Sequence, residues 1–339
     1  MLAYILAAVL ACASPSAPAS TAPRELAAGD PASAEHALDA VSAADWNNAF
    51  IVDIARRVFA ETTPSSLRGA AERDARAQLI LGIGYQYSLG GLDEDYPTAE
   101  SWLARASAAH NRIATYALGR SYAYERGVAR DDARARELFE AAAQQGYEYA
   151  NVELGDMYAE GRGVEKDPAH ALALYRQAAD AGEINAITHQ ALLYEQGIGV
   201  EKNADEAMRL YHQAADHGDA EANYALGYAF YDGQMVKKDY AEAVRYYWLA
   251  ADANYPGAEV NLGAMYEEGQ GVAQDDTEAA RLFRAASVVP MGKYRYGLML
   301  YYGRGVARNR DEAMRLWEIA ARQGVDAAAE ALAAVRGKG

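Results

Sequence analysis

The sequence predicts an all-α fold: a right-handed α-solenoid of stacked antiparallel helix pairs. Three observations predict it. Asp or Asn returns in step along most of the chain, at Asp95, Asp131, Asp167, Asn203, Asp239, Asp275 and Asn309, in steps of 36 residues with one of 34 at the end. Each stands four residues before an alanine, from Ala99 through Ala135, Ala171, Ala207, Ala243 and Ala279 to Ala313. A glycine column runs ahead of it (Gly82, Gly119, Gly155, Gly227, Gly263, Gly297, with Ala191 in the remaining unit), followed three positions on by Tyr85, Tyr122, Tyr158, Tyr194, Phe230, Tyr266 and Leu300.

The elements follow in chain order. Leu2 to Leu10 is an apolar stretch too short to span a bilayer, followed by Ala11, Cys12, Ala13, Ser14 and Pro15. It reads as an export signal. From residue 13 to 33 the chain is rich in Ala, Ser, Pro and Thr and reads as a flexible tether. Between Ala43 and Glu61, Trp46, Phe50, Ile54, Val58 and Phe59 recur at helical spacing with Arg56 and Arg57 opposite; a second helix is expected to begin near Ser65 after Pro64. Residues 34–74 are thus expected to cap the first repeat, because the end of a stack must cover an apolar face.

Residues 75–324 hold seven repeats, and Tyr147 to Gly182 shows their logic. Ala150, Leu154, Gly155 and Tyr158 share one face of a first helix, A. Gly161 and Gly163 reverse the chain. Asp167 caps a second helix, B, and Pro168 is tolerated at its first position. Leu174 and Tyr175 give helix B its apolar side, as Leu210, Tyr211, Tyr246, Tyr247, Leu282 and Phe283 do in later units. The turn departs from Gly-x-Gly at Leu89-Gly90-Gly91, at Arg126-Gly127 and at Gly233-Gln234-Met235, so those turns are expected to differ in shape. Residues 325–339 form a closing helix and tail.

This pattern, Ala-x-x-x-Leu-Gly-x-x-Tyr-x-x-Gly-x-Gly-Val followed by Asp-x-x-x-Ala and a closing Ala-Ala-x-x-Gly, resembles the Sel-one-like repeat (SLR), a relative of the tetratricopeptide repeat. The resemblance implies an adaptor or scaffold that binds other proteins, not an enzyme. Around Cys12, the single cysteine of the chain, Val9-Leu10-Ala11-Cys12 looks like a bacterial lipobox. It implies an acylated Cys12 and a lipoprotein on the periplasmic face of the outer membrane. The alternative is an ordinary signal cut after Ala13, which leaves the protein soluble in the periplasm or secreted. One cysteine also excludes a disulfide within the chain.

A formal charge of −16 argues against nucleic acid, whose phosphates need a basic face. No catalytic set, metal site or cofactor motif is legible. His36, His110, His170, His189, His212 and His217 lack metal-ligand spacing, and the Gly-x-Gly-Val turns lack the third glycine or Lys-Ser/Thr of a phosphate loop. Helix geometry places Tyr149, Val152, Asp156, Ala159 and Glu160 opposite the packed side of helix A, which the resemblance puts on the concave side. The same columns in other repeats collect Tyr87, Tyr116, Arg120 and Tyr124, then Glu195, Gln196, Glu221, Tyr224, Tyr228, Tyr231 and Asp232, then Glu267, Glu268, Tyr294, Tyr301 and Tyr302. A groove rich in tyrosine and acid is expected, with Tyr158, Tyr194 and Tyr266 in the core and Tyr228 and Tyr231 exposed.

Three functions follow. One is an envelope scaffold that binds an extended segment carrying basic or amide groups. The second is an accessory lipoprotein of polysaccharide secretion, since tyrosines also stack on sugars. The third, a hydrolase, lacks a nucleophile and base.

Overall fold

The computed structural model describes residues 30–41, 51–126 and 128–336. Among these there are 18 α-helices, one 3-10 turn at Ala286–Val288 and no strand. Three precede the repeats: α1 (Pro31–Asp39), α2 (Ile51–Glu61) and α3 (Pro64–Ala70). The A helices are α4 (Ala75–Gln86), α6 (Arg112–Ala123), α8 (Tyr149–Glu160), α10 (Ile184–Gln196), α12 (Ala220–Asp232), α14 (Pro256–Glu268) and α16 (Pro290–Tyr302). The B helices are α5 (Tyr96–Ala108), α7 (Asp132–Gln144), α9 (Pro168–Asp180), α11 (Ala204–Asp216), α13 (Tyr240–Asp252), α15 (Asp276–Ala285) and α17 (Arg310–Arg322), with α18 (Asp326–Arg336) last. Successive helices pack as pairs, as an α-solenoid requires. The described residues form two compact units, one of residues 30–186 and 197–201, the other of 187–196 and 202–336.

All seven Asp and Asn residues of the cap column start a B helix, and each side chain accepts a backbone N–H of the first turn. Their own N–H groups do a second job. Each donates to the carbonyl of the tyrosine-column residue of the preceding A helix, from Asp167 to Tyr158 at 2.8 Å and from Asp275 to Tyr266 at 3.0 Å. One residue therefore closes the turn and opens the next helix, which is why the two columns stand nine residues apart in six units, and ten apart only between Tyr85 and Asp95.

The glycine column has a packing reason. The large buried side chain of helix B lies flat on it: Leu103 on Gly82, Phe139 on Gly119, Tyr175 on Gly155, Tyr247 on Gly227, Phe283 on Gly263 and Trp317 on Gly297. A Cβ at Gly155 would stand 2.4 Å from the Tyr175 ring. Tyr175, Tyr211, Tyr247, Phe283 and Trp317 are at most 2% exposed, so these rings, and not the tyrosine column, fill the middle of each hairpin. Tyr158, Tyr194 and Tyr266, expected in the core, are only partly buried, because their backbone carbonyls rather than their rings hold the turn.

Gly161 ends α8 with φ +79°, and Gly163, at φ +65°, lies against the Asp132 backbone at the start of the preceding B helix, 2.7 Å from where its Cβ would stand. Where the first turn glycine is missing, Ser88 and Glu125 adopt positive φ themselves, at 52° and 54°. A non-glycine residue in the left-handed region carries a backbone cost, and the first turn differs further in being one residue longer, with Gly90 and Gly91 also at positive φ. At Met235 the backbone does not take positive φ, and that turn does differ.

At the N-terminal side, helix α1 begins at Pro31, within the stretch read as tether, with Asp30 capping Ala32 N. Helix α3 begins at Pro64, slightly before the expected start, because Thr63 caps it. Ile54 and Val58 are buried while Arg56 and Arg57 are exposed, as the spacing of α2 requires. Phe59 packs onto Gly84 and Gly90 of the first repeat. Trp46, Phe50 and the export segment with Cys12 lie outside the described residues. Among those described, no helix is long and apolar enough to cross a membrane.

Candidate functional site

Helix A is buried on more sides than two-faced geometry allows. Val152, assigned to the open face of α8, is 5% exposed, and Asn151 and Glu153 are buried as well. The physical reason is that α8 packs against its own B helix, α9, and against α7 of the preceding repeat. The surface left to a ligand is correspondingly narrow.

In the second and third repeats the predicted residues converge on a carboxylate that sequence reasoning did not select. Glu153 accepts from the Tyr116 hydroxyl at 3.0 Å and the Tyr124 hydroxyl at 2.6 Å, and Arg120 stands 3.4 Å away. The Arg120 guanidinium lies 5.9 Å from the Tyr116 ring and 5.5 Å from that of Tyr124. Burial, then Glu153, pushes both tyrosine hydroxyls up in pKa, so both stay protonated donors. Asp156 accepts from the Tyr175 hydroxyl at 2.6 Å, and Glu160 pairs with Arg162 at 2.5 Å. Tyr149 stacks beside Tyr147 at 5.4 Å and bonds Glu183, whose pKa burial raises to about 7. Acids expected to attract a partner are thus engaged inside the chain.

The fifth repeat is organised differently. Tyr224 lies 5.0 Å from Tyr255 and is partly buried, and burial pushes its hydroxyl up in pKa against the opposing effect of Asn261. Tyr228 and Tyr231, expected exposed, are partly buried against the apolar cluster that joins Ala243, Tyr247 and Ala250 to Tyr255, Ala258 and Leu262. Their rings are packed, but among the described residues neither hydroxyl has a hydrogen-bond partner, and Asp232 has neither hydrogen bond nor ion pair. Glu221 is not free, and its charge helps to push the Tyr211 hydroxyl up in pKa.

Toward the last repeat, Glu267 is held by Arg295 at 3.4 Å and by Arg304. Glu268 remains exposed. The Tyr294 carbonyl accepts from Trp317 Nε1 at 3.1 Å. Tyr301 packs on Trp317 at 5.2 Å under the Arg310 guanidinium, and Tyr302 is 63% exposed. Sequence reasoning also missed Trp248 and Leu249, 52% and 39% exposed on α13; their columns carry His212 and Gln213 in the preceding repeat. Among the described residues no group of three or more His, Cys, Asp or Glu could hold a metal ion.

A profile of the Sel1 repeat matches residues 75–111, 112–147, 148–183, 191–219, 220–255, 256–287 and 290–325. The chain belongs to the Sel1 repeat family. Proteins of this family are in general scaffolds of protein–protein interaction without catalysis of their own. A Sel1 repeat protein from Oxalobacter formigenes is similar at 27% identity over 96% of this chain and 99% of its own, with a TM-score of 0.61. A protective antigen of uropathogenic Escherichia coli with an SLR fold is similar at 27% identity over 91% of this chain and 68% of its own, with a TM-score of 0.53. Yeast Tom70, at 15% identity over 88% of this chain and 66% of its own and a TM-score of 0.55, shares the fold alone. No curated protein matches.

Proposed function

We propose that this Sel1 repeat chain is a non-enzymatic scaffold of the bacterial cell envelope that holds an extended protein segment on the A-helix face of its fifth repeat. The observation that carries the reading is the contrast between repeats. Tyr116 and Tyr124 are saturated by Glu153, whereas Tyr228, Tyr231 and Asp232 keep unused hydrogen-bonding groups beside packed rings. Aromatic side chains held rigid by their neighbours, with a polar tip facing outward, are the residues that dominate binding energy at interfaces.

The test is partner capture from an envelope extract by wild type and by Tyr228→Ala/Tyr231→Ala. The double variant should lose about 2 kcal/mol or more of affinity. Because both rings are partly buried, the variant also loses some stability, so capture is compared at a temperature where circular dichroism shows both proteins folded. A folded double variant that captures the partner like wild type moves the site elsewhere.

For location, the proposal is export with acylation at Cys12, supported by Leu2–Leu10 and the lipobox-like Val9-Leu10-Ala11-Cys12. Mass spectrometry of the membrane fraction should find the acylated cysteine, and Cys12→Ala should release the protein into the soluble fraction. A wild-type protein that is soluble and begins at Ser14 refutes acylation.

A further inference from the structure

In three repeats a turn arginine of the chain reaches back to the end of the preceding A helix, meeting a tyrosine in two of them and a glutamate in the third. The residue between the two turn positions is Arg126, Arg162 or Arg304 in the second, third and seventh repeats. Arg126 bonds the Tyr87 hydroxyl with its guanidinium 5.4 Å from that ring; Arg162 lies 5.9 Å from the Tyr124 ring; Arg304 pairs with Glu267. In each case the arginine reaches back to the last turn of the preceding A helix.

In the sixth repeat that position is Gln270, and the register pairs it with Asp232 at the end of α12. Among the described residues no guanidinium bonds or pairs with Asp232. Burial, then the carboxylates of Asp232 and Glu195, pushes the Tyr228 hydroxyl up in pKa, with no cation among the groups that act on it. Glu195 accepts from the Tyr211 hydroxyl through one oxygen only, at 2.6 Å. The Lys238 ammonium lies 6.0 Å from the Tyr231 ring centroid and 5.5 Å from that of Tyr240, and among the described residues it makes no ion pair with Asp232.

Resting on the fifth repeat as the docking face, we propose that Tyr228 and Asp232, one turn apart on α12, form a receptor for one arginine side chain of the bound segment. Its guanidinium stacks on the Tyr228 ring and pairs with Asp232, taking the place that Arg162 occupies beside Tyr124. A planar guanidinium can stack and bond a carboxylate in two places at once, which an ammonium cannot, so the receptor prefers arginine to lysine.

The experiment selects binders from a randomised peptide library on the intact chain and then varies the best peptide. The expected result is an arginine whose replacement by citrulline, neutral and nearly isosteric, weakens binding roughly tenfold or more, as loss of a charged hydrogen bond does. Asp232→Asn should weaken the parent peptide similarly and the citrulline peptide hardly at all. Gln270→Arg, which brings the chain's own guanidinium to the site, should abolish binding while circular dichroism and melting temperature remain those of a folded protein. Peptides that need Tyr228 and Tyr231 but tolerate citrulline overturn the arginine receptor and leave the docking face standing. Binders indifferent to Tyr228→Ala/Tyr231→Ala overturn the face as well. A library without binders, or Gln270→Arg binding as wild type does, also overturns the receptor.

Discussion

Glu259→Gln should stabilise this protein at alkaline pH and leave it nearly unchanged at acid pH. Glu259 stands in the first turns of α14 and is 6% exposed. The same column holds Gln78, Thr115 and Asn223, which donate to the backbone carbonyls of Ala71, Asn111 and Asp219. A carboxylate cannot donate, and among the described residues the Glu259 side chain has no hydrogen-bond partner, its backbone N–H alone bonding to Tyr255. Burial raises its pKa from 4.5 to about 7, against a smaller opposing effect of Arg281, which is itself bonded to Glu278.

A raised acid pKa means that the folded state holds the proton more tightly. The contribution to stability is complete below about pH 4.5, declines as pH rises through about 7, and is absent above. The shift corresponds to about 3 kcal/mol at full burial, and to on the order of 2 kcal/mol once water screening at the carboxylate is allowed for. Glutamine restores the donor and carries no charge. Urea unfolding followed by circular dichroism at pH 4.5, 6 and 8 should show wild type losing stability with pH relative to Glu259→Gln, by about 2 kcal/mol at pH 8. Equal or lower stability of the variant at pH 8 refutes the reasoning, because the carboxylate would then be solvated or paired.

Other expectations follow from the same packing. Gly155→Ala, despite its better helix propensity, should cost about 1–3 kcal/mol, since the new methyl meets the Tyr175 ring; thermal melting checks this, and a stabilised variant refutes the slot. His110→Gly should stabilise by roughly 1 kcal/mol, because His110 sits at φ +60° where later repeats place Gly146, Gly182 and Gly218; unchanged urea unfolding counts against it. Glu153→Ala should cost about 3–5 kcal/mol by leaving Arg120 and two tyrosine hydroxyls buried without their acceptor, whereas Arg120→Met should cost much less; the two melting curves decide.

Much of the fold is legible along the chain because it depends on local chemistry repeated seven times. An Asp or Asn followed by a helical run caps that helix whatever lies around it, and all seven do so here. Alanine at the following column is read as close packing, and Ala99 through Ala313 are at most 2% exposed. The family resemblance rests on those columns. The candidate site is far less legible, because which polar groups remain unused depends on pairings between different repeats. Glu153 and Tyr116 are 37 residues apart, as are Arg304 and Glu267. Nothing local distinguishes Glu153, which is consumed, from Asp232, which is not. By itself the sequence determined the helices, their caps and their spacing, since a cap or a turn is settled within a few residues. Only the tertiary structure decided that α8 is enclosed nearly all round, that the acids of the second and third repeats are neutralised by neighbours, and that Tyr228 and Asp232 keep their bonding capacity, because burial and ion pairing are properties of what the next hairpin places alongside.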